Sequence, residues 1–370
     1  MALEFLHFSC KQIESTTTCS TIELNLSLQG TITILTPLLP KVSSMWRSIQ
    51  AVALRSVAAS SVRRVHQKCT VNAQELKGRA IVKVSGVDAG PYLQGLMTND
   101  IKHLDEDNNP NMYCMFLNRQ GRILYDAIIH SSKESGSYLI ECDAECSESL
   151  AKHLTMFRVR RKVVISVEET LKPWVLFDQP PEDLSNEVIL ARDPRVKELG
   201  WRVLVDSNKS LSHLIKNLCV DNTDRYTELR YKLGVGEGSR DMPPGTCFPL
   251  ECNCDYLHGV SFHKGCYLGQ ELTARTYHTG VTRKRLMPVV FQQPSDSIQL
   301  ESTISDENGQ RVGKLRGYLH GSVYGLGLLR IQQALSSSQL KIDSNLIETH
   351  RPAWWPIEAP KDRAQLESSS

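Results

Sequence analysis

The run from Arg79 to Val167 constrains the fold most, because it switches repeatedly between strand and helix character. Arg79–Ser85 is rich in β-branched residues, which reads as a strand. Gly86-Val87-Asp88 reads as a turn, with Asp88 placed to cap a helix through Pro91 to Met97 and the proline in its first turn. Tyr113–Leu117 and Arg122–His130 read as strands joined by Asn118-Arg119-Gln120-Gly121, a tight connection whose glycine suits positive φ. Tyr138–Cys142 is a third strand, Ala144–Met156 a helix with Leu150 and Leu154 at helical spacing, and Val163–Val167 a further strand. The order strand–helix–strand–strand–helix–strand is an α+β pattern of ferredoxin-like type.

A second α+β unit follows. Trp174–Phe177 and Arg202–Val205 read as strands, Ser212–Leu218 and Thr223–Leu233 as helices. Gly234–His258 is dense in Gly, Pro and Cys and reads as irregular. Leu286–Phe291, Leu300–Ser305, Arg311–Leu319 and Val323–Arg330 are short strand-like runs punctuated by turn residues such as Asn308-Gly309. They predict a small antiparallel β-barrel over 284–360, after an α+β region over 70–283 and before a disordered tail, 361–370.

The N-terminus has a different character. From Met45 to Gln74 there is no Asp or Glu, but there are Arg47, Arg55, Arg63, Arg64 and Lys68, with Trp46, Ile49, Ala53 and Val57 on one helical face. An Arg-rich, Ser-rich, acid-free amphipathic stretch describes a mitochondrial transit peptide, here 45–69, with cleavage expected between Arg64 and Cys69. Residues 1–44 carry Glu4, Glu14 and Glu23 and read as a disordered upstream extension, which makes Met45 an alternative start. Net charge is +2, so no global field argues for nucleic acid or an anionic membrane. No window of 18 consecutive apolar residues exists, so no transmembrane helix or membrane insertion is expected. The 11 cysteines are odd in number and irregularly spaced, which favours free thiols in a reducing compartment.

Chemistry concentrates in Val260–Arg275. Leu268–Arg275 has helical character, with Glu271 in an early turn where an acid suits the helix dipole. Cys266 then precedes a helix N-terminus, and Lys264 and His263 beside it favour the thiolate, the form that ligates metal. Gly265 and Gly269 leave the backbone there uncrowded. Cys247, Cys252 and Cys254 lie upstream, but their spacing fits a four-cysteine zinc or cluster site poorly. Arg158, Arg160, Arg161 and Lys162 form a basic run that reads first as a solvated face and second as an anion site.

Lys264-Gly265-Cys266-Tyr267-Leu268-Gly269-Gln270-Glu271 resembles the signature of the bacterial YgfZ proteins and their mitochondrial relatives. These are folate-binding proteins of the aminomethyltransferase (glycine-cleavage T-protein) fold that help to mature iron–sulfur proteins. Tyr92–Asp100 is similar to the family's F-L-Q-G-x-x-T-N-D element, and Phe116–Asp126 to its L-N-x-x-G-R-x-x-x-D element. The resemblance covers roughly residues 75–335.

It implies two ferredoxin-like α+β subdomains and a C-terminal barrel. It further implies a mitochondrial matrix factor acting late in [4Fe–4S] maturation with A-type carriers, for clients such as aconitase and lipoyl synthase. Cys266 would share a cluster with the carrier. Asn99, Asp100, Asn118, Arg122, Asp126 and Arg275 would line a cleft for a tetrahydrofolate-like ligand. T-proteins place an Asp pair where this chain has Tyr125 and Asp126, and they lack Cys266. Both departures weigh against the alternative, a folate-dependent one-carbon transferase.

Overall fold

A computed structural model describes residues 19–26, 30–37 and 71–357, except 107–109, 182–187 and 296–297. It divides into two compact units, Met1–Lys68 and Cys69–Ser370. In the first, β1 (Cys19–Leu26) and β2 (Gly30–Pro37) form an antiparallel hairpin pairing Cys19 with Pro37 and Leu26 with Gly30. The stretch expected to be a disordered extension thus holds β structure, for which its alternating Thr and Ile residues are suited. The expected transit segment 45–69 and the tail 361–370 lie outside the described residues.

The second unit interleaves two five-stranded sheets. The chain enters through β3 (Val71–Glu75) and crosses directly to β4 (Arg79–Ser85) of the other sheet. There follow β5 (Asn111–Leu117), β6 (Ile123–Ser131), β7 (Ser137–Asp143) and β8 (Val164–Glu168), in the antiparallel order β5-β6-β7-β4-β8. Helices α1 (Ala89–Gln94) and α2 (Ser147–Phe157) cover one face. Tyr92, Leu93, Leu150 and Leu154 pack there on Val82, Val84, Ala127, Ile129 and Ile140. Strand alternation sends Asp126, Ile128 and His130 to the opposite face.

That opposite face meets the second sheet, ordered β10 (Ile189–Arg192), β11 (Trp201–Asp206), β9 (Leu171–Leu176), β3, β12 (Leu218–Val220). Only the β12–β3 pair in it is parallel. The apolar seam between the sheets holds Ile81, Leu139 and Leu204. The helix expected over Ser212–Leu218 stops after one turn, Leu211–Leu214, because Leu218 and Cys219 continue as β12 against Val71 and Asn72. Cys219 is disulfide-bonded, a departure from the free thiols that the cysteine pattern favours.

Helix α3 (Arg225–Leu233) ends on Gly234 at φ +74°. Helix α4 (Gln270–Thr279) leads into a closed barrel: β13 (Lys284–Phe291), β14 (Thr303–Asp306), β15 (Arg311–Tyr318), β16 (Tyr324–Arg330), β17 (Leu340–Ile342) and β18 (Asn345–Thr349). The last two strands are short and set among polar residues; β18 closes the ring on β13. Trp355 fills the barrel core, and the Trp354 indole donates to the Leu233 carbonyl at 2.7 Å.

Candidate functional site

The Cys266 loop is built by fastening the segment before α4 to the first sheet at several points. Thr98 joins the loop to β5: its hydroxyl donates to the Gly259 carbonyl at 2.6 Å and accepts from Met115 N at 2.9 Å. The Asn99 amide donates to the carbonyls of Tyr113 and His258, both at 2.8 Å. The Asp100 carboxylate accepts from the Gln94 amide at 2.9 Å and from Lys102 N at 3.1 Å. The Thr-Asn-Asp element is therefore a staple for the loop.

Lys264 completes the staple. Its ammonium donates to the carbonyls of Gln94, Met97 and Asn99 at 2.7, 2.8 and 2.6 Å. These carbonyls lie at and just beyond the C-terminus of α1, where a cation is favoured. Burial draws the Lys264 pKa down to about 8, while the three acceptors hold the charged form. The charge is directed inward, which corrects the expectation that Lys264 activates the neighbouring thiol. Tyr267 is buried and its N–H donates to the Gln270 carboxamide oxygen at 3.1 Å, while Leu268 N reaches the Gly95 carbonyl at 3.0 Å.

Gly269 has a packing role and is not open to a second molecule. It sits at φ +79°, and a Cβ on it would lie 2.3 Å from the Asn118 carbonyl oxygen. Gly121, at φ +77° in the predicted turn, faces it, with Gly269 O 3.0 Å from its own Cβ position. The two glycines let the β5–β6 turn abut the start of α4. Gly265 is open as expected, with nothing within 4 Å of its Cβ position.

Cys266 itself is exposed, four positions ahead of α4. Glu271 occupies the first turn as predicted and pairs with Arg275 at 3.7 Å on the outer surface. Phe262 stacks on Tyr277 with ring centroids 3.5 Å apart and planes 9° from parallel. This clasp joins the start of the loop to the last turn of α4. Nothing in the sequence pairs two aromatic residues so far apart. The result is one thiol displayed on a loop fastened at both ends.

The other cysteines do not join it. Cys247, Cys252 and Cys254 are buried. The Cys252 thiol's hydrogen bond, opposed by burial, lowers Cys247 to about 6. Among the described residues no group of three or more His, Cys, Asp or Glu could hold a metal ion.

The six residues expected to hold folate each have other engagements. Asn99 and Asp100 belong to the staple. Asn118 shapes the turn, accepting from Gln120 N and Arg122 N at 3.0 Å. Arg122 donates to the Thr246 carbonyl at 2.7 Å and lies 4.4 Å over the Phe248 ring. Arg275 is exposed on α4. A cavity of about 310 Å³ runs along α4, lined by Phe248, Leu250, Glu251, Leu272, Thr273 and Lys284 among others, and none of the six faces it.

Asp126 lies deep between the sheets, in a charge network the sequence did not reveal. Arg202 reaches Glu141 at 2.6 Å, Glu237 at 2.9 Å and Asp193 at 3.1 Å. Arg195 pairs with Asp193 at 2.8 Å and Glu237 at 2.9 Å, and Arg230 with Asp241 at 2.6 Å. Asp126 accepts from Gly238 N at 2.9 Å and stands 3.6 Å from Arg79. Burial raises the Asp126 pKa against the pull of Arg79. For Glu141 burial also acts upward, but Arg202, His130 and Arg79 outweigh it and hold the carboxyl at about 2. A carboxyl depressed on folding stabilises the fold above its unfolded pKa and stops doing so as pH falls through the folded value. Acid unfolding followed by circular dichroism is therefore expected to show stability falling from about pH 4.5 to about pH 2, with Glu141→Gln flattening that slope.

Comparison with known proteins places this geometry. The fold is similar to the crystal structure of glycine cleavage system aminomethyltransferase T from Bartonella henselae, with a TM-score of 0.62 at 13% identity over 78% of this chain and 88% of that one. Residues 283–357 match the CAF17 C-terminal beta-barrel domain. An aminomethyltransferase-type α+β body with a closed barrel, displaying one thiol, is the class that fold and site define.

Sequence relatives narrow it. The human mitochondrial iron–sulfur cluster assembly factor IBA57 is 36% identical over 81% of this chain and 92% of its own length. Its mouse counterpart is 38% identical over 77% and 85%. The mitochondrial homolog in Mycosarcoma maydis is 33% identical over 82% and 89%. The chain belongs to the IBA57 family of iron–sulfur cluster assembly factors.

Proposed function

We propose that this protein acts late in mitochondrial iron–sulfur assembly, in the matrix, helping A-type carriers to mature [4Fe–4S] client enzymes. The observation that carries this reading is the exposed Cys266 thiol on a loop fastened by Lys264 and the Phe262–Tyr277 clasp. Iron–sulfur clusters are held by cysteine thiolates, and one presented thiolate can complete a ligand set that a carrier leaves short. The cluster is cargo, and Cys266 is its point of contact. Family membership and the relatives' mitochondrial names support the location. No step is assigned to tetrahydrofolate, whose candidate residues are engaged in separate contacts.

The test is to mix the protein anaerobically with a cluster-loaded A-type carrier. The parent chain is expected to give a heterocomplex with thiolate-to-iron absorbance, and Cys266→Ser to lose both while keeping its melting point. In cells depleted of the protein, the same variant is expected not to restore lipoylation or aconitase activity. Full rescue by Cys266→Ser overturns the ligand role.

A further inference from the structure

The basic run reserved as a solvated face has company in the structure. Arg158, Arg160, Arg161 and Lys162 form the connection from α2 to β8, and all are exposed. None forms an ion pair with a described residue. The connection is ordered: Arg161 N reaches the Arg158 carbonyl at 2.9 Å and Val163 N the Arg161 carbonyl at 3.0 Å, with Arg160 held at φ +59°. It is seated on the β4–α1 turn, where Lys162 N donates to the Asp88 carboxylate at 2.7 Å. Asp88 was expected to cap α1, but it makes no side-chain cap bond there and serves this junction. Glu134, in the β6–β7 turn, is engaged with Lys83 at 2.8 Å.

Bare aliphatic side chains stand among these cations. Val87 is 81% exposed, Val159 74%, Met156 66% and Val164 64%. They are four of the ten exposed large hydrophobic residues among those described, so the grouping is not the usual scatter of single exposed residues. Val87 sits between Gly86 and Asp88, the residues that touch Lys162, and Val164 pairs with Ser85 at the start of the edge strand. Cations and aliphatics therefore share one rim of the first sheet.

We propose that this rim docks the protein on the surface of a bilayer containing anionic phospholipid, without crossing it. Lipid headgroups neutralise the cations while the acyl boundary takes the aliphatic side chains. A nucleic acid or other hydrophilic polyanion would satisfy the cations and leave those side chains in water. Nucleic acid also favours exposed rings for stacking, whereas the one aromatic residue of the run, Phe157, packs on His153 with centroids 5.0 Å apart. The near-neutral overall charge does not oppose this, because the attraction is local and decays within a Debye length.

The full chain should co-sediment with phosphatidylcholine vesicles containing phosphatidylglycerol, not with phosphatidylcholine alone, and salt should release it. Combined Arg160→Glu, Arg161→Glu and Lys162→Glu should lower the partition coefficient roughly 100-fold. Because these side chains face water, far-ultraviolet circular dichroism should be unchanged. Met156→Trp offers an independent reading: its added emission should shift to the blue with anionic vesicles. Equal partitioning of the charge-reversed and parent chains overturns the proposal. So does salt-sensitive vesicle binding with no shift at Trp and full competition by heparin, which assigns the rim to an acidic macromolecule.

Discussion

Replacing Arg202 by Met is expected to cost about 4 kcal/mol or more of stability, enough to remove much of the folded protein. Its guanidinium is fully buried and contacts Glu141, Asp193 and Glu237 from one position on β11. Met is of similar volume but leaves three buried carboxylates short of a partner. The penalty of an unpaired buried charge exceeds what the pair itself contributed. Denaturant unfolding should show a lower midpoint at little changed slope. Combining Arg202→Met with Glu141→Gln should recover part of the loss, because one stranded charge is gone. Strict additivity of the two changes would refute direct coupling.

The second large effect concerns Gly269→Ala. A Cβ there would stand 2.3 Å from the Asn118 carbonyl oxygen, at a φ of +79° that L residues avoid. Neither the turn nor α4 can retreat without breaking the contacts around Gly121 and Leu272. Overpacking and backbone strain together should cost about 3 kcal/mol and lower the melting point by roughly 10 °C. Gly265→Ala supplies the control, since its Cβ position is open and its melting point should stay near the parent's. The Gly269 variant should also lose the cluster-dependent heterocomplex, because displacing the start of α4 moves the loop that carries Cys266. A Gly269 variant as stable and active as the Gly265 one would show that the turn does not position the thiol.

Much of this architecture could be read from local pattern. The strands at Arg79–Ser85, Tyr113–Leu117 and Tyr138–Cys142 alternate or run apolar in ways that survive tertiary context. The octapeptide marked the right loop. What escaped was non-local. Val71–Glu75 carries no local sign of its partners, yet it belongs to the other sheet, paired with residues far along the chain. Short β10, β12 and β17 carry too few residues for a period to show. Glu141 and Arg202 look like the polar half of a half-exposed strand; only the stacking of two sheets turns them inward. Lys264 was legible as a cation beside a thiol, but its length and flexibility let it reach α1 instead.

The position of β3 also bears on how the molecule is made. Val71 pairs with Leu218, and Ala73 with Leu176, so the first strand of the second unit waits for partners more than a hundred residues on. Through that wait it is an unpaired edge. A chain emerging N-terminus first can complete the sheet of β4 to β8 by residue 168, but it cannot close the neighbouring one until β12 appears. Until then Glu141 of β7 lacks Arg202 and has only Arg79 of its own sheet as an arginine partner. Pairings of such sequence separation slow folding and expose strand edges to aggregation. Maturation of this chain should therefore be limited by the arrival of β11 and β12, and truncations just before Leu218 should leave a partly assembled species dependent on chaperones.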